Sequence, residues 1–171
     1  AATVLVDAHG LLPAQPRIPE PIFVRQQKLI GMLMRKSLND LQKADIGLIG
    51  LAVMGENLAL NIESKGFSIA VFNRTISKVD NLINGRAKNK GFVGTKSIEE
   101  FIDALSRPRK IILLVKAGDP VDQFIDMLVP HLDKGDLIID GGNSNYMDTI
   151  RRSASITEKG FLFIGTGVSG G

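Results

Sequence analysis

Ile46-Gly47-Leu48-Ile49-Gly50-Leu51-Ala52-Val53-Met54-Gly55 is the stretch that decides the fold. Its first four residues form a short apolar run that suits a strand buried on both faces. After the turn, Leu58 and Ile62 stand four apart within Asn57–Lys65, a helical spacing, and Gly66 supplies a C-terminal stop. A strand, a tight turn and a helix in this order carry the dinucleotide fingerprint G-x-G-x-x-G, here with Ala52 in place of the second glycine. Gly50 permits the tight turn and Gly55 lets the helix pack closely on the strand. Between them Leu51, Ala52, Val53 and Met54 lead into the helix start, whose free amides suit a pyrophosphate. The methyl group of Ala52 crowds that approach modestly. A merely tight strand–helix turn is the other reading of the same residues.

Outward from this unit the chain keeps alternating. Ser68–Phe72 reads as a second strand and Ser77–Asn84 as a helix ended by Gly85. Phe92-Val93 is a short third strand, followed by Ser97 with Glu100 three residues on, a capping-box pattern. That helix is expected to reach Ser106 and stop at Arg107, before Pro108. Lys110–Val115 is apolar after its first residue and is the strongest strand in the chain. A helix from Asp119, with Pro120 at its first position, runs towards Leu132. Leu137–Ile139 is the next strand, ending at Asp140; Tyr146–Glu158 is a helix; and Phe161–Ile164 closes the series. Apolar strands alternating with helices predict an α/β domain around a parallel sheet.

Ligands of such sheets bind at the carboxyl ends of the strands. The second strand ends in Asn73-Arg74-Thr75, beginning twenty-three residues after Gly50. An NAD site usually places Asp or Glu near here to accept from the ribose 2′-hydroxyl, and this turn has neither. Arg74 offers a planar cationic fork instead, with Asn73, Thr75 and Lys78 beside it. A charge-assisted contact contributes about 1.5–3 kcal/mol, roughly 10- to 150-fold in favour of a 2′-phosphate. NADP is the preferred cofactor, and a solvated arginine on a loop is the alternative. Val115-Lys116-Ala117-Gly118 follows the fourth strand, where small residues let a cofactor pass close to the backbone. Lys116 either pairs with phosphate there or faces solvent. The fifth strand leads into Asp140-Gly141-Gly142-Asn143-Ser144, an open turn in which Asn143 presents both donor and acceptor. The last leads into Gly165-Thr166-Gly167-Val168-Ser169-Gly170-Gly171, whose hydroxyl and bare amides suit a carboxylate, hydroxyl or phosphate.

The 171 residues are 44% hydrophobic and 23% charged, an ordinary globular balance. The absence of cysteine excludes a disulfide scaffold, a cysteine zinc site and a thiol nucleophile. With His9 and His131 the only imidazoles, no histidine-rich metal site is expected. No run of eighteen apolar residues predicts a membrane span. The net charge of +3 resides in residues 1–43, while residues 44–171 balance, so no nucleic-acid partner is expected for the domain. Residues 1–43 read as an N-terminal extension, partly disordered or carrying one helix. Pro13, Pro16, Pro19 and Pro21 favour extended chain, and a weakly amphipathic pattern runs from Ile22 to Leu41. A mobile leader or docking arm, a residual targeting segment and an incidental extension are the three readings.

Taken together, Gly50–Gly55 with Glu56-Asn57, Asn73–Thr75, Val115–Gly118, Asp140–Asn143 and Gly167–Gly171 resemble the N-terminal, coenzyme-binding domain of the 6-phosphogluconate dehydrogenase family, over Ala44–Gly171. The wider 3-hydroxyacid dehydrogenase group shares the layout, but Asn-Arg-Thr and Val-Lys-Ala-Gly point to the phosphogluconate branch. The resemblance implies a Rossmann-like, doubly wound, mainly parallel sheet with helices on both faces. It implies NADP-dependent oxidation of 6-phosphogluconate, then decarboxylation of the 3-keto intermediate to ribulose 5-phosphate, in the cytoplasm, or in an organelle if the extension is a targeting remnant. Gly50, Leu51, Ala52, Val53, Met54 and Gly55 would hold the pyrophosphate, and Asn73, Arg74 and Thr75, with Lys78 near, the 2′-phosphate. Val115, Lys116 and Ala117 would line the cofactor cleft. Asn143 would sit between nicotinamide and substrate, and Ser169, Gly170 and Gly171 would hold the sugar acid. The family's general base, a lysine, and general acid, a glutamate, lie downstream of the Ser-Gly-Gly segment in a helical domain that also makes its homodimer. This chain stops at Gly171, has no matching lysine, and is expected to be inactive alone. Glu56 stands where many relatives carry glutamine and would place negative charge near the phosphate turn. The competing reading is an NADP-binding or interaction module without turnover, with the extension as its docking arm.

Overall fold

The computed structural model describes Val24, Gln26, Gln27 and residues 43–168. The chain divides into two units, Ala1–Leu38 and Asn39–Gly171. In the first, Val24, Gln26 and Gln27 are helical, inside the stretch where the weak amphipathic pattern lies. The remaining expectations for residues 1–42 fall outside the described residues.

The second unit contains six strands and five helices among the described residues. In chain order these are β1 (Ile46–Ile49), α1 (Val53–Ser64), β2 (Ile69–Phe72), α2 (Ile76–Asn84), β3 (Phe92–Gly94), α3 (Ile98–Asp103), β4 (Lys110–Leu113), α4 (Asp119–Leu128), β5 (Leu137–Asp140), α5 (Tyr146–Glu158) and β6 (Leu162–Gly165). The sheet order is β3-β2-β1-β4-β5-β6 and every pairing is parallel. The chain starts at the middle, winds to one edge, then returns across β1 to build the other half. That reversal leaves a crevice at the carboxyl ends of β1 and β4.

Side-chain alternation divides the core in two. Ile49, Ala70, Phe72, Ile111, Leu113 and Ile138 face α3, α4 and α5, where they pack with Phe101, Phe124 and Ile156. Leu48, Ile69 and Val71 point the other way, against Ala59 of α1 and Val79 and Leu82 of α2. Each fully buried Leu, Ile or Phe stabilises the fold by about 1.5–3 kcal/mol relative to exposure. Gly47 makes room on the first face, because a Cβ there would lie 2.5 Å from the tip of the Phe101 ring.

β1, β5 and α5 coincide with their expected bounds, and several other element ends differ for identifiable reasons. α1 begins at Val53, ahead of the expected Asn57, because Glu56 N–H already bonds the Ala52 carbonyl. α3 ends at Asp103, short of Ser106. Ala44 takes over there, donating to the Ala104 carbonyl and accepting from the Ser106 amide, so Leu105 joins an isolated bridge. Ser97 caps α3 as expected by accepting from the Glu100 amide at 3.1 Å, but the Glu100 carboxylate reaches back to the Lys96 amide. β4 ends at Leu113, since the last register pair with β5 joins Leu113 to Asp140. α4 ends at Leu128 and gives way to a 3₁₀ turn over Val129–His131, where Pro130 lacks the amide that would continue the α-helix. β6 is shifted one residue, to Leu162–Gly165.

The amino pole of the sheet is closed by an ion cluster in which Arg109 and Asp136 are buried and Asp133 is exposed. Arg109 Nη1 lies 2.8 Å from carboxylate oxygens of both Asp133 and Asp136, and Arg109 Nε donates to the Ile102 carbonyl. The Asp136 carboxylate also accepts from the amides of Arg109 and Asp133.

Candidate functional site

The turn after β1 is shaped by its two glycines. Gly50 has φ +106°, and a Cβ there would run into the Leu114 carbonyl. A Cβ on Gly55 would run into the Gly50 carbonyl, so only glycine lets α1 seat against the turn. The amides of Val53, Met54 and Gly55 precede the first intrahelical bond of α1, and no side chain caps that end. The Leu51 amide is engaged, donating to Asn73 Oδ1 at 2.9 Å. Asn73 Nδ2 in turn donates to the Thr75 carbonyl at 3.1 Å. Asn73 thus stitches the turn after β1 to the turn after β2 with both ends of its amide.

Two cavities flank this junction. One, of about 310 Å³, is lined by Gly50, Ala52, Asn73, Arg74, Thr75, Lys78, Leu114, Val115, Lys116, Pro120 and Phe124. The other, of about 400 Å³, is lined by Ala52, Met54, Gly55, Leu114, Val115, Lys116, Gly141, Gly142, Asn143 and Val168. They share Ala52, Leu114, Val115 and Lys116, and so form one cleft along the carboxyl ends of the strands. Arg74 is held at the edge of the first cavity. Its guanidinium carbon stands 4.7 Å from the centre of the Phe124 ring, and its Nη2 donates to Gln123 Oε1 at 2.8 Å. Lys78 lines the same cavity, and among the described residues no carboxylate does. Glu56 does not act on the phosphate turn as an unpaired charge: its carboxylate lies 2.8 Å from Arg86 Nη1, and Arg86 Nη2 also donates to Asn57.

A third cavity, of about 480 Å³, adjoins the far end. It is lined by Asp140, Gly142, Asn143, Ser144, Tyr146, Thr149, Ile150, Gly165, Thr166 and Gly167. Gly142 and Asn143 belong to both this cavity and the 400 Å³ cavity. The wall between them is therefore backbone plus one amide side chain.

The family model of the NAD binding domain of 6-phosphogluconate dehydrogenase matches residues 45–171. The chain belongs to that family. Among relatives in the 6-phosphogluconate dehydrogenase family, the decarboxylating enzyme of Dictyostelium discoideum is 60% identical over 129 residues, covering 75% of this chain and 26% of the relative. A Plasmodium falciparum 6-phosphogluconate dehydrogenase, solved in apo form, with its cofactor NADP+ and with its substrate 6-phosphogluconate, is 50% identical. It superposes with a TM-score of 0.69, covering 74% of this chain and 27% of that one. The Mycobacterium tuberculosis 3-hydroxyisobutyrate dehydrogenase, at 20% identity and TM-score 0.62 over 75% of this chain and 42% of that one, shares the fold. The chain spans about a quarter of the length of the 6-phosphogluconate dehydrogenases it matches.

The structure brings Gly50, Ala52, Met54, Gly55, Asn73, Arg74, Thr75, Lys78, Val115, Lys116 and Asn143 to one cleft. Leu51 is buried beneath the turn, Val53 projects outward at 78% exposure, and Ala117 lies one residue beyond the lining. Ser169, Gly170 and Gly171 fall outside the described residues. Sequence reasoning missed Phe124 and Gln123, which hold Arg74, and Leu114 and Val168, which complete the walls. It also missed Arg152 of α5, buried at 2% exposure. Arg152 grips Asp122 with Nε at 3.0 Å and Nη2 at 2.8 Å, and Nη1 reaches Asp140 at 3.3 Å. The hydrogen bond from Arg152, with further help from Arg151, holds the Asp122 carboxyl down at about 2 against the opposing effect of burial. An arginine in a helix carries no sequence signal for such partners. Among the described residues, no helix is long and apolar enough to cross a membrane.

Proposed function

We propose that residues 44–171 form the NADP-binding part of a 6-phosphogluconate dehydrogenase that oxidises and decarboxylates 6-phosphogluconate to ribulose 5-phosphate. The observation that carries this is the cationic rim at the end of β2. Arg74 and Lys78 line a cavity with no carboxylate among its described lining residues, beside a glycine turn that any Cβ would obstruct. That chemistry fits a nucleotide with a phosphate on its adenosine 2′-oxygen.

In this reading the pyrophosphate lies at the start of α1, over Ala52, Met54 and Gly55. Arg74, Thr75 and Lys78 take the 2′-phosphate, while Asn73 keeps the two turns in register. Val115 and Lys116, with Ala117 adjoining, form the passage towards the nicotinamide end. Bound NADP supplies a hydride acceptor. Asn143 offers a donor and an acceptor at the wall shared with the third cavity, where the sugar acid would lie, with Ser169, Gly170 and Gly171 completing its hold. Asp140, the carboxylate lining that cavity, is already engaged by Arg152 and Ser144 and is not a free base. The 171-residue chain alone is therefore expected to bind NADPH but to produce none from 6-phosphogluconate and NADP. In this reading the full enzyme works in the cytoplasm, or in an organelle if the N-terminal extension is a targeting remnant.

Titration of the purified chain with NADPH and NADH tests the proposal. NADPH is expected to bind more tightly, and Arg74→Ala to weaken NADPH roughly 10- to 150-fold while leaving NADH nearly unchanged. Equal affinity for both nucleotides, or binding of neither, refutes it.

A further inference from the structure

Arg152 uses every donor it has. Nε and Nη2 grip the two oxygens of Asp122 on α4, and Nη2 also donates to the Gly118 carbonyl at 3.0 Å. Nη1 donates to Asp140 Oδ2 at 3.3 Å and to Ser144 Oγ at 3.1 Å. The guanidinium's five N–H groups thus meet five acceptors. Gly118 belongs to the loop after β4, and Asp140 and Ser144 bracket the loop after β5.

The Asp140 carboxylate passes this hold forward. Its Oδ1 accepts from the Gly142 amide at 3.1 Å, and its Oδ2 accepts from the Ser144 hydroxyl at 2.6 Å. Gly142 sits close against the loop after β4, where a Cβ would lie 3.2 Å from the Val115 carbonyl. Gly142 and Asn143 wall the 400 Å³ cavity, while Arg152 itself lines neither cavity of the cleft. The adenosine rim is held by other side chains, Gln123 and Phe124 against Arg74.

We infer that Arg152 is a positioning residue for the nicotinamide end of the cleft, tying the loops after β4 and β5 together so that Gly142 and Asn143 present a fixed wall to the ring. The inference rests on the nucleotide reading above and deepens it. Lysine at this position keeps the charge but has at most three donors and no planar fork, so it cannot reproduce the hold.

Two probes separate the ends of the site: NADPH, which reaches both, and adenosine 2′,5′-bisphosphate, which fills the adenosine end alone. In calorimetric titration of the 171-residue chain, Arg152→Lys is expected to weaken NADPH about tenfold and to leave adenosine 2′,5′-bisphosphate within about twofold. Unchanged binding of both, or equal weakening of both as a general loss of structure would give, overturns the inference. Ser144→Ala removes one link and leaves the buried charges paired. It is expected to weaken NADPH about threefold with the bisphosphate unaffected. Should Arg152→Lys fail to fold, Ser144→Ala behaving as the unaltered chain towards both probes overturns the inference by itself. An unaltered chain that binds neither probe removes the nucleotide reading and this inference with it. Normal binding without the selective loss removes the inference alone.

Discussion

Gly118 sits at φ +91° and ψ −144° just before α4, a backbone state that a residue with a Cβ enters only under strain, although open space surrounds the position. Gly118→Ala is therefore expected to lower stability by about 1–3 kcal/mol, read as a reduced midpoint in urea unfolding. Gly55 is the opposite case, since its backbone lies outside the left-handed region and the obstacle is the Gly50 carbonyl. The sequence exposes Gly50 and Gly55 because their spacing inside a strand–turn–helix unit has a known mechanical meaning. It exposes Arg74 because the residue replaces an expected acid. It does not expose Arg152, whose acceptors Gly118, Asp122, Asp140 and Ser144 stand 34, 30, 12 and 8 positions away. Local pattern shows what a residue replaces or interrupts, whereas a buried arginine acquires its meaning only when the chain has folded.

Among the elements, α4 and α5 are joined by the Asp122–Arg152 pair, and that joint is sensitive to acid. Asp122 has its pKa lowered from 3.8 to about 2 by pairing with Arg152, so the folded state holds the carboxylate more strongly than the unfolded state does. The resulting stabilisation is complete above pH 4 and is lost as pH falls from about 4 to about 2. With Asp122 partly open to solvent, the contribution is about 1–2 kcal/mol. Unfolding midpoints measured across that window are expected to fall, and Asp122→Asn to flatten the decline. The order of the elements was legible throughout, because the strands are apolar runs and the helices have punctuation. The ends of β4, α3 and α4 were not. β4 stops where its neighbour's register stops, and α3 stops where Ala44 captures the carbonyl of Ala104, the residue after its last, both long-range events. The short ending of α4 is legible in Pro130, which has no amide to continue the α-helix.

For the whole molecule, the two poles of the sheet use similar chemistry to different ends. Arg109 with Asp133 and Asp136 closes the amino pole, remote from the cleft, and Arg152 with Asp122 and Asp140 braces the carboxyl pole. Arg109→Met would leave the buried Asp136 carboxylate without its cation, and it is expected to cost about 3–5 kcal/mol in unfolding experiments. NADPH affinity, measured below the melting transition, is expected to stay within about twofold of the unaltered chain. At the carboxyl pole, Asp122 holds Arg152 and through it the loop after β5, while Gln123 and Phe124 hold Arg74 and the rim after β2. These three residues are consecutive in a single turn of α4, whose apolar side is locked into the core by Val121, Ile125 and Leu128. The jaws at the two ends of the cleft are thus mounted on one beam, as in a caliper, and the length of any molecule that enters is gauged against a span already set when the chain folds.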